Sequence, residues 1–331
     1  MACDSQTNSD PIESKCTVRL FEPADGPGVV RLVKSVYGST YYPPALYDPL
    51  QIDQWVETGK FVSCVSADEE AIVGHFALEL LASGTVAEAS DAIVALEYRH
   101  HHLMEDMRAR LREEALRRGL AGIVGYPVTN HLYSQMAEEH FGAHPCGVAL
   151  GLWPETFHNM PEPLPQRMSF IIYFKSLRPW IESVHADTPH AEMLARITKQ
   201  WSVTIRRPAC QPPPALGSVT IEVEPEVQTG LIRVVTVGVD SLAAIRREKN
   251  QLLAAGARTL LLELPLAQSA TGDLCRAAEA EGFFFCALGP SFMTDGDALL
   301  LQFLTEPLDP ALVQVHSPFA RELLEYAAGR R

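Results

Sequence analysis

The sequence predicts an α/β protein of two related units, each a central mixed β-sheet flanked by helices. Three observations carry that prediction: a length of 331 residues, an alternation of short apolar runs with helical-period stretches, and an element order that returns in the second half. At this length the chain can form two ordinary domains, each able to bury its own core. Apolar residues at 47% against charged residues at 21% are the balance of a folded protein.

Composition also removes function classes. The formal charge of −14 is spread over both halves, so the net field repels nucleic acid and anionic membranes. The longest apolar runs, 259–266 and 283–288, are far shorter than a bilayer span and read as buried strands. Residues 1–16 read as a disordered polar leader without the apolar stretch of a secretion signal, so a cytoplasmic address is expected. Seven cysteines, an odd count with no CxxC spacing, are expected to be reduced structural thiols.

A strand at 17–21 leads into a helix at 25–36, where Val29, Leu32, Val33 and Val36 recur at helical spacing. Residues 37–48 combine Gly, paired Pro and four tyrosines; this loop either lines a site or packs over the core. Asp48-Pro49 opens a second helix and Gly59 closes it. Strands at 61–66 and 72–81 form a hairpin turned by Asp68-Glu69-Glu70. A strand at 87–96 runs through 98–102 into a long helix ending at Arg118, on which Leu103, Met107, Leu111 and Ala115 form one buried stripe. A strand at 123–128, a helix capped by Thr129-Asn130, and strands at 146–152 and 168–174 joined by the Pro-rich stretch 154–165 complete a first unit, 17–177. The second unit, 178–331, has a helix near 191–201, a Pro-rich link at 208–214, a hairpin of 218–224 with 231–237, and a helix capped by Asp240 and stopped by Gly256. Residues 118–174 and 255–304 then both run helix, strand, helix, strand, strand.

With these elements placed, the order of the first unit resembles the GCN5-related N-acetyltransferase (GNAT) superfamily, over about 17–177 and more faintly over 218–304. The strand-to-helix junction 87–103 carries most of the likeness. The resemblance implies transfer of an acyl group from acetyl-CoA to a small-molecule or protein amine. It implies that Ile93, Val94, Ala95 and Leu96 lend backbone groups to the pantetheine arm. It implies also that Arg99, His100, His101, His102, Leu103 and Met104 form the loop around the pyrophosphate at a helix N-terminus, with Asn130 completing the cofactor site. The family loop reads Arg or Gln, two residues, Gly, one residue, Gly or Ala. Here Arg99 matches, while His102 and Met104 fill both small positions, where a phosphate needs to touch backbone. Imidazoles can themselves donate to phosphate. A metal site in the three histidines is disfavoured, because adjacent residues at a helix start point in different directions.

For the chemistry, the resemblance points to Glu88 as the base, with Asp91 as a second candidate; a surface charge on a strand edge is the plainer account of Glu88. The place of the family's tyrosine acid holds Ala137, and Tyr133 lies one turn earlier on the same helical face. Tyr41, Tyr42, Tyr47 and His131 are the expected acceptor-site residues, and Gln135 is expected to face the ligand cleft with His131. The second unit has only Gly238-Val239 between strand and helix, too little for a phosphate loop, so it is expected to buttress the first or form a homodimer. The rival expectation is a catalytically inactive ligand-binding or regulatory protein of the same fold.

Overall fold

The computed structural model describes residues 16–69, 71–99, 101–156 and 162–330. The leader up to residue 15, Glu70 of the expected hairpin turn, His100 of the triple histidine and residues 157–161 of the Pro-rich stretch lie outside them. Four strands begin the sheet: β1 (Thr17–Leu20), β2 (Phe61–Asp68), β3 (Ala71–Leu80) and β4 (Val86–Val94), each antiparallel to the next. Alternate residues of β2 divide two cores, as strand geometry requires. Val65 packs with α1 (Gly26–Tyr37) and α2 (Pro49–Glu57) on one face, and Val62 and Cys64 pack with α3 (Leu103–Arg117) on the other. The expected stripe Leu103, Met107, Leu111 and Ala115 is the buried side of α3. Asp48 caps α2 by accepting from the Leu50 N–H at 3.0 Å.

The first unit is completed by β5 (Gly122–Gly125), α4 (Tyr133–His140), β6 (His144–Trp153) and β7 (Met168–Ser176). α4 starts later than expected and no side chain caps it. Val128 bridges to Phe170, which brings Thr129 against β7, and the buried Thr129 hydroxyl donates to the Ser169 carbonyl at 2.8 Å instead of to the helix. A small parallel pair, β8 (Glu182–Val184) and β9 (Thr204–Arg206), flanks α5 (Ala191–Lys199) in the connection.

In the second unit β10 (Ser218–Glu224) and β11 (Thr229–Thr236) form the expected hairpin, followed by α6 (Ser241–Ala254), β12 (Thr259–Pro265), α7 (Thr271–Ala280), β13 (Phe284–Met293), β14 (Gly296–Leu304) and α8 (Pro318–Ala328). Asp240 precedes α6 without capping it. Gly217 and Gly238 pack backbone to backbone, and the Asp240 carboxylate there accepts the Gly217 N–H at 2.6 Å.

Among the described residues, twelve strands make one mixed sheet in the order β1-β2-β3-β4-β5-β7-β6-β13-β14-β12-β11-β10. β4 and β5 run parallel, β5 and β7 antiparallel, β7 and β6 antiparallel. β11, β12, β14 and β13 repeat that sequence of directions, so the second unit mirrors the first across the middle of the sheet. No helix of the described residues is long and apolar enough to cross a membrane. The six described cysteines are free.

The units do not each keep a private core, contrary to the sequence expectation. β6 and β13 meet antiparallel at the single register pair Gly147 with Ala287, and one apolar cluster runs from Val86 through both strands to Ala327 of α8. With so few ladder bonds at the join, buried side chains do the stitching. The Gln302 amide accepts from the Leu150 N–H at 2.7 Å and donates to Val148 and Phe285 carbonyls at 3.0 and 2.9 Å. Arg167 donates to the carbonyls of Gly151 and Leu152 on one side and of Val227 on the other. Gln302→Leu leaves these buried backbone groups without partners, so urea unfolding is expected to show a loss of about 3 kcal/mol. A loss below about 1 kcal/mol would mean that the amide is dispensable at the join.

Candidate active site

β4 and β5 pair for only three residues, Val86 to Glu88 against Gly122 to Val124, and β5 stops at Gly125 while β4 continues to Val94. The two parallel strands therefore fork, and the far part of β4 has an edge of N–H and C=O groups with no partner from β5. On its other edge β4 stays bonded to β3 through a bulge between Ser90 and Ile93, with Asp91 in the left-handed region at φ 55°. A buried histidine pins that bulge. His75 Nδ1 lies 3.1 Å from the Asp91 carbonyl and Nε2 lies 2.7 Å from Ser63 Oγ. A carbonyl only accepts, so the proton sits on Nδ1 and Ser63 donates to Nε2. Burial holds His75 down at about 4, which keeps it neutral.

Carboxylates gather beside the fork. Glu88 lies directly across from Glu79 in the β3–β4 register, an arrangement that like charges disfavour. Burial pushes Glu88 well above the ordinary carboxylate range, and Glu79, Glu224 and Asp91 push it further. Asp91 is raised to about 7, first by burial and then by Glu79. The Tyr41 hydroxyl donates to Asp91 Oδ1 at 3.2 Å, and the Tyr47 hydroxyl accepts the Tyr41 N–H at 2.9 Å. Tyr42 packs edge-on against Trp153 at 5.5 Å and bonds Glu224, which arrives from β10 of the second unit. The tyrosine loop thus lies over the acidic strip, bringing Tyr41, Tyr42 and Tyr47 together with Asp91 and Glu224.

The helix after β4 opens as the loop expectation requires in backbone and not in side chains. β4 itself ends at Val94, short of the expected 96, because the Leu96–Tyr98 stretch turns into a 3₁₀ helix. His102 adopts φ 58°, the left-handed conformation that glycine takes most easily and His tolerates better than most residues. Its imidazole faces outward and meets Glu105 Oε2 at 2.7 Å. Glu105 and Asp106 occupy the first turn of α3, where carboxylates already answer the helix dipole. A cavity of about 500 Å³ lies between the far part of β4 and this turn, lined by Val94, Arg99, His102, Leu103 and Met104 of the expected cofactor residues and by Tyr37 and Tyr98.

The other candidates are placed as follows. Ile93 and Ala95 are buried toward α1, Leu96 is exposed, and His101 is half-buried. Asn130 Oδ1 is buried without a hydrogen-bond partner. Tyr133 is 81% exposed, and its ring neighbour is His131 at 5.6 Å. Gln135 does not face a ligand cleft. Its amide donates to Val128 and Gln314 carbonyls at 3.1 and 2.9 Å and accepts the His316 N–H at 2.9 Å, fixing the C-terminal segment to α4. The residues that sequence reasoning missed are His75 and Ser63, which hold the bulge, and Glu79 and Glu224. A lone histidine inside the apolar run of β3 was a readable signal for the first; Glu224 reaches the fork only through tertiary contact.

Away from the fork, His190, Cys275 and Glu279 bring potential metal-ligating atoms within 4.8 Å of one another. His190 Nδ1 already lies 2.9 Å from the Tyr326 hydroxyl, while Nε2, 3.1 Å from a Glu279 carboxylate oxygen, is buried without a hydrogen-bond partner.

Solved structures similar to this mixed α/β chain, a large mixed sheet flanked by helices, include three acetyltransferases. An acetyltransferase of the GNAT family from Staphylococcus aureus Mu50 is 11% identical, with 49% of this chain and 99% of its own covered at a TM-score of 0.38. An acetyltransferase-class protein from Salmonella typhimurium, solved with its cofactor acetyl-CoA, is 16% identical, with 50% of this chain and 95% of its own covered at 0.41. The ribosomal-protein-S18-alanine N-acetyltransferase of Escherichia coli is 13% identical, with 49% and 94% covered at 0.38. No family model matches the chain, and no curated protein matches it.

Proposed function

We propose that the protein transfers an acyl group from an acyl-CoA thioester to an amine, with the chemistry in 17–177 and with 178–331 as the supporting unit. The observation that carries this reading is the fork: an unpaired β4 edge beside a carboxylate poised at about 7, with a cavity leading to the start of α3. The cofactor residues fit in part. The unpaired edge of β4 suits an amide-bearing arm, and Arg99 with the left-handed turn at His102 suits a phosphate, whereas Glu105 and Asp106 oppose one. Acyl-CoA supplies the electrophilic carbonyl. Asp91, whose carboxyl is raised to about 7 by burial and by Glu79, accepts the proton that the ammonium must lose before its nitrogen can attack. Backbone N–H groups on the unpaired edge of β4 are the donors available to an oxyanion. Tyr133 faces solvent, so return of a proton to the leaving thiolate is assigned to water. A cytoplasmic address and a small-molecule or protein amine as acceptor complete the reading.

Titration calorimetry with acetyl-CoA is expected to show one site per chain with a dissociation constant in the micromolar to high-micromolar range. No heat at millimolar acetyl-CoA would remove the enzymatic reading. The His102–Glu105 ion pair and Asp106 favour a second reading, an inactive ligand-binding or regulatory protein of the same fold, in which the acid-capped helix start no longer takes a pyrophosphate.

A further inference from the structure

Elements that the acyl-transfer site does not use bring a nitrogen, a sulfur and an oxygen donor to one place. Cys275 and Glu279 stand four residues apart on α7, so their side chains share one helical face. His190 immediately precedes α5 and reaches them from the connection. A ring nitrogen of His190, Cys275 Sγ and a Glu279 carboxylate oxygen lie within 4.8 Å of one another. His190 and Cys275 are fully buried, and the His190 ring packs on those of Phe285 and Tyr326 at 5.0 and 5.8 Å. Its Nδ1 lies 2.9 Å from the Tyr326 hydroxyl. Its Nε2 has no hydrogen-bond partner among the described residues, although a Glu279 oxygen stands 3.1 Å away. A buried nitrogen and a carboxylate oxygen this close, with no hydrogen bond between them, are a costly pair unless a cation is shared by both. Ligand atoms about 2.0 to 2.1 Å from a tetrahedral zinc ion stand roughly 3.3 Å apart, close to this spacing. The neighbouring cations are engaged elsewhere: Arg276 meets Asp273 at 2.7 Å, and Arg330 lies over the Tyr326 ring at 5.0 Å.

We propose that His190, Cys275 and Glu279 bind one zinc ion through Nε2, Sγ and a carboxylate oxygen, with water as the fourth ligand. Imidazole, thiolate and carboxylate together are a zinc donor set, whereas magnesium and calcium take oxygen donors. The thiolate and the carboxylate carry two negative charges, which a divalent cation cancels, so the buried group is neutral when loaded. Glu279 is half-buried and gives water its way in. Tyr326 of α8 is the outer partner: by accepting from Nδ1–H it fixes the tautomer whose Nε2 lone pair faces the ion. On binding, the Cys275 thiol releases its proton to solvent and a zinc–sulfur bond replaces the S–H bond. The ligand atoms close in by roughly 1 Å at most, since sulfur and nitrogen at a tetrahedral zinc stand about 3.6 Å apart. The loaded site braces the connection after β7 against α7 and α8 of the second unit, away from the fork.

Zinc titration of the intact protein, stripped of metal with EDTA and kept reduced, tests this by competition with a chromophoric chelator near neutral pH. One ion per chain is expected, with a dissociation constant below about 10 μM. Cobalt in place of zinc is expected to give a thiolate-to-metal charge-transfer band. Cys275→Ser is expected to abolish that band and, like Glu279→Ala, to weaken zinc binding about 10-fold or more. Cys210→Ser, at an exposed thiol outside the cluster, is expected to leave the band and the affinity unchanged. Zinc at about 100 times its dissociation constant is expected to raise the melting temperature of the parent by about 5 °C and not that of Cys275→Ser. Circular dichroism checks that each variant folds; if Cys275→Ser does not, Glu279→Ala, altered at a half-buried position, carries the test. A dissociation constant above about 10 μM, a cobalt spectrum without the thiolate band, or an unaltered zinc affinity in a folded Cys275→Ser or Glu279→Ala protein overturns the proposal.

Discussion

Gly147→Val is expected to part the sheet at its centre. A Cβ at this position would stand 2.1 Å from Ala287 Cβ, 2.5 Å from Ala287 Cα and 2.5 Å from the Cys286 carbonyl oxygen. Two of those atoms are backbone, so no rotamer change relieves the contact. Glycine is required here for close approach of two strands, because Gly147 and Ala287 are the one register pair that joins β6 to β13. Valine must push the strands apart and loosen the cluster that Val148, Leu150, Phe285 and Leu299 share across the join. The expected loss is about 3 kcal/mol or more, the upper range of overpacking, read as a lower urea midpoint. As the two units share this core, the variant is also expected to lose two-state behaviour, with fluorescence and far-UV dichroism reporting different midpoints. A variant that unfolds in one step within about 0.5 kcal/mol of the parent would show that the strands do not meet this closely.

Asp91→Asn is expected to stabilise the protein and disable it. The folded state raises Asp91 from an ordinary 3.8 to about 7, through burial and the charge of Glu79. A carboxyl with a raised folded value binds its proton more tightly when folded than when unfolded. The Asp91 contribution to stability is therefore most favourable below about pH 4, falls as pH rises from there to about 7, and stays low above it. At about 1.4 kcal/mol for each unit, the penalty above pH 7 is on the order of 4 kcal/mol. Asparagine carries no charge to bury, tolerates the left-handed backbone at φ 55°, and can still accept from Tyr41. Melting followed against pH is expected to show the variant more stable than the parent at pH 8, by up to that amount, with the gain gone below pH 4. Acyl transfer is expected to fall by about 10² to 10⁴, and the rise of rate with pH centred near 7 is expected to disappear. An asparagine variant less stable than the parent at pH 8 would mean that ionised Asp91 is held by favourable bonds. A rate within about threefold of the parent would remove Asp91 as the base.

How much of this was legible depended on whether a feature is local. Strands and helices came through because period-two and period-3.6 burial patterns are written in neighbouring residues, as in the stripe Leu103, Met107, Leu111 and Ala115. The Asp48 cap was readable for the same reason. The caps expected from Thr129 and Asp240 failed where a strand or a packed glycine pair offered those side chains a nearer partner from elsewhere in the chain. In the site, Glu88 could be read as a carboxylate on the right strand, but its cross-strand opposition to Glu79 depends on the register in which β3 and β4 pair on the turn side of the bulge at Asp91. The acceptor tyrosines could be proposed from loop composition alone, while the bond from Tyr41 to Asp91 needed the loop to be folded over β4.

By itself the sequence determined a mixed α/β chain in which one element order occurs twice, and a turn before the long helix in which histidine and methionine replace small residues. Tertiary structure alone decided that the two sheets fuse through a glycine and a glutamine, that β4 forks from β5 after three residues, and that Glu224 of one unit stands over the carboxylates of the other. The physical reason is range. Propensity and periodicity act over a few residues, whereas strand register, desolvation and the field of a distant charge exist only once remote segments have packed together.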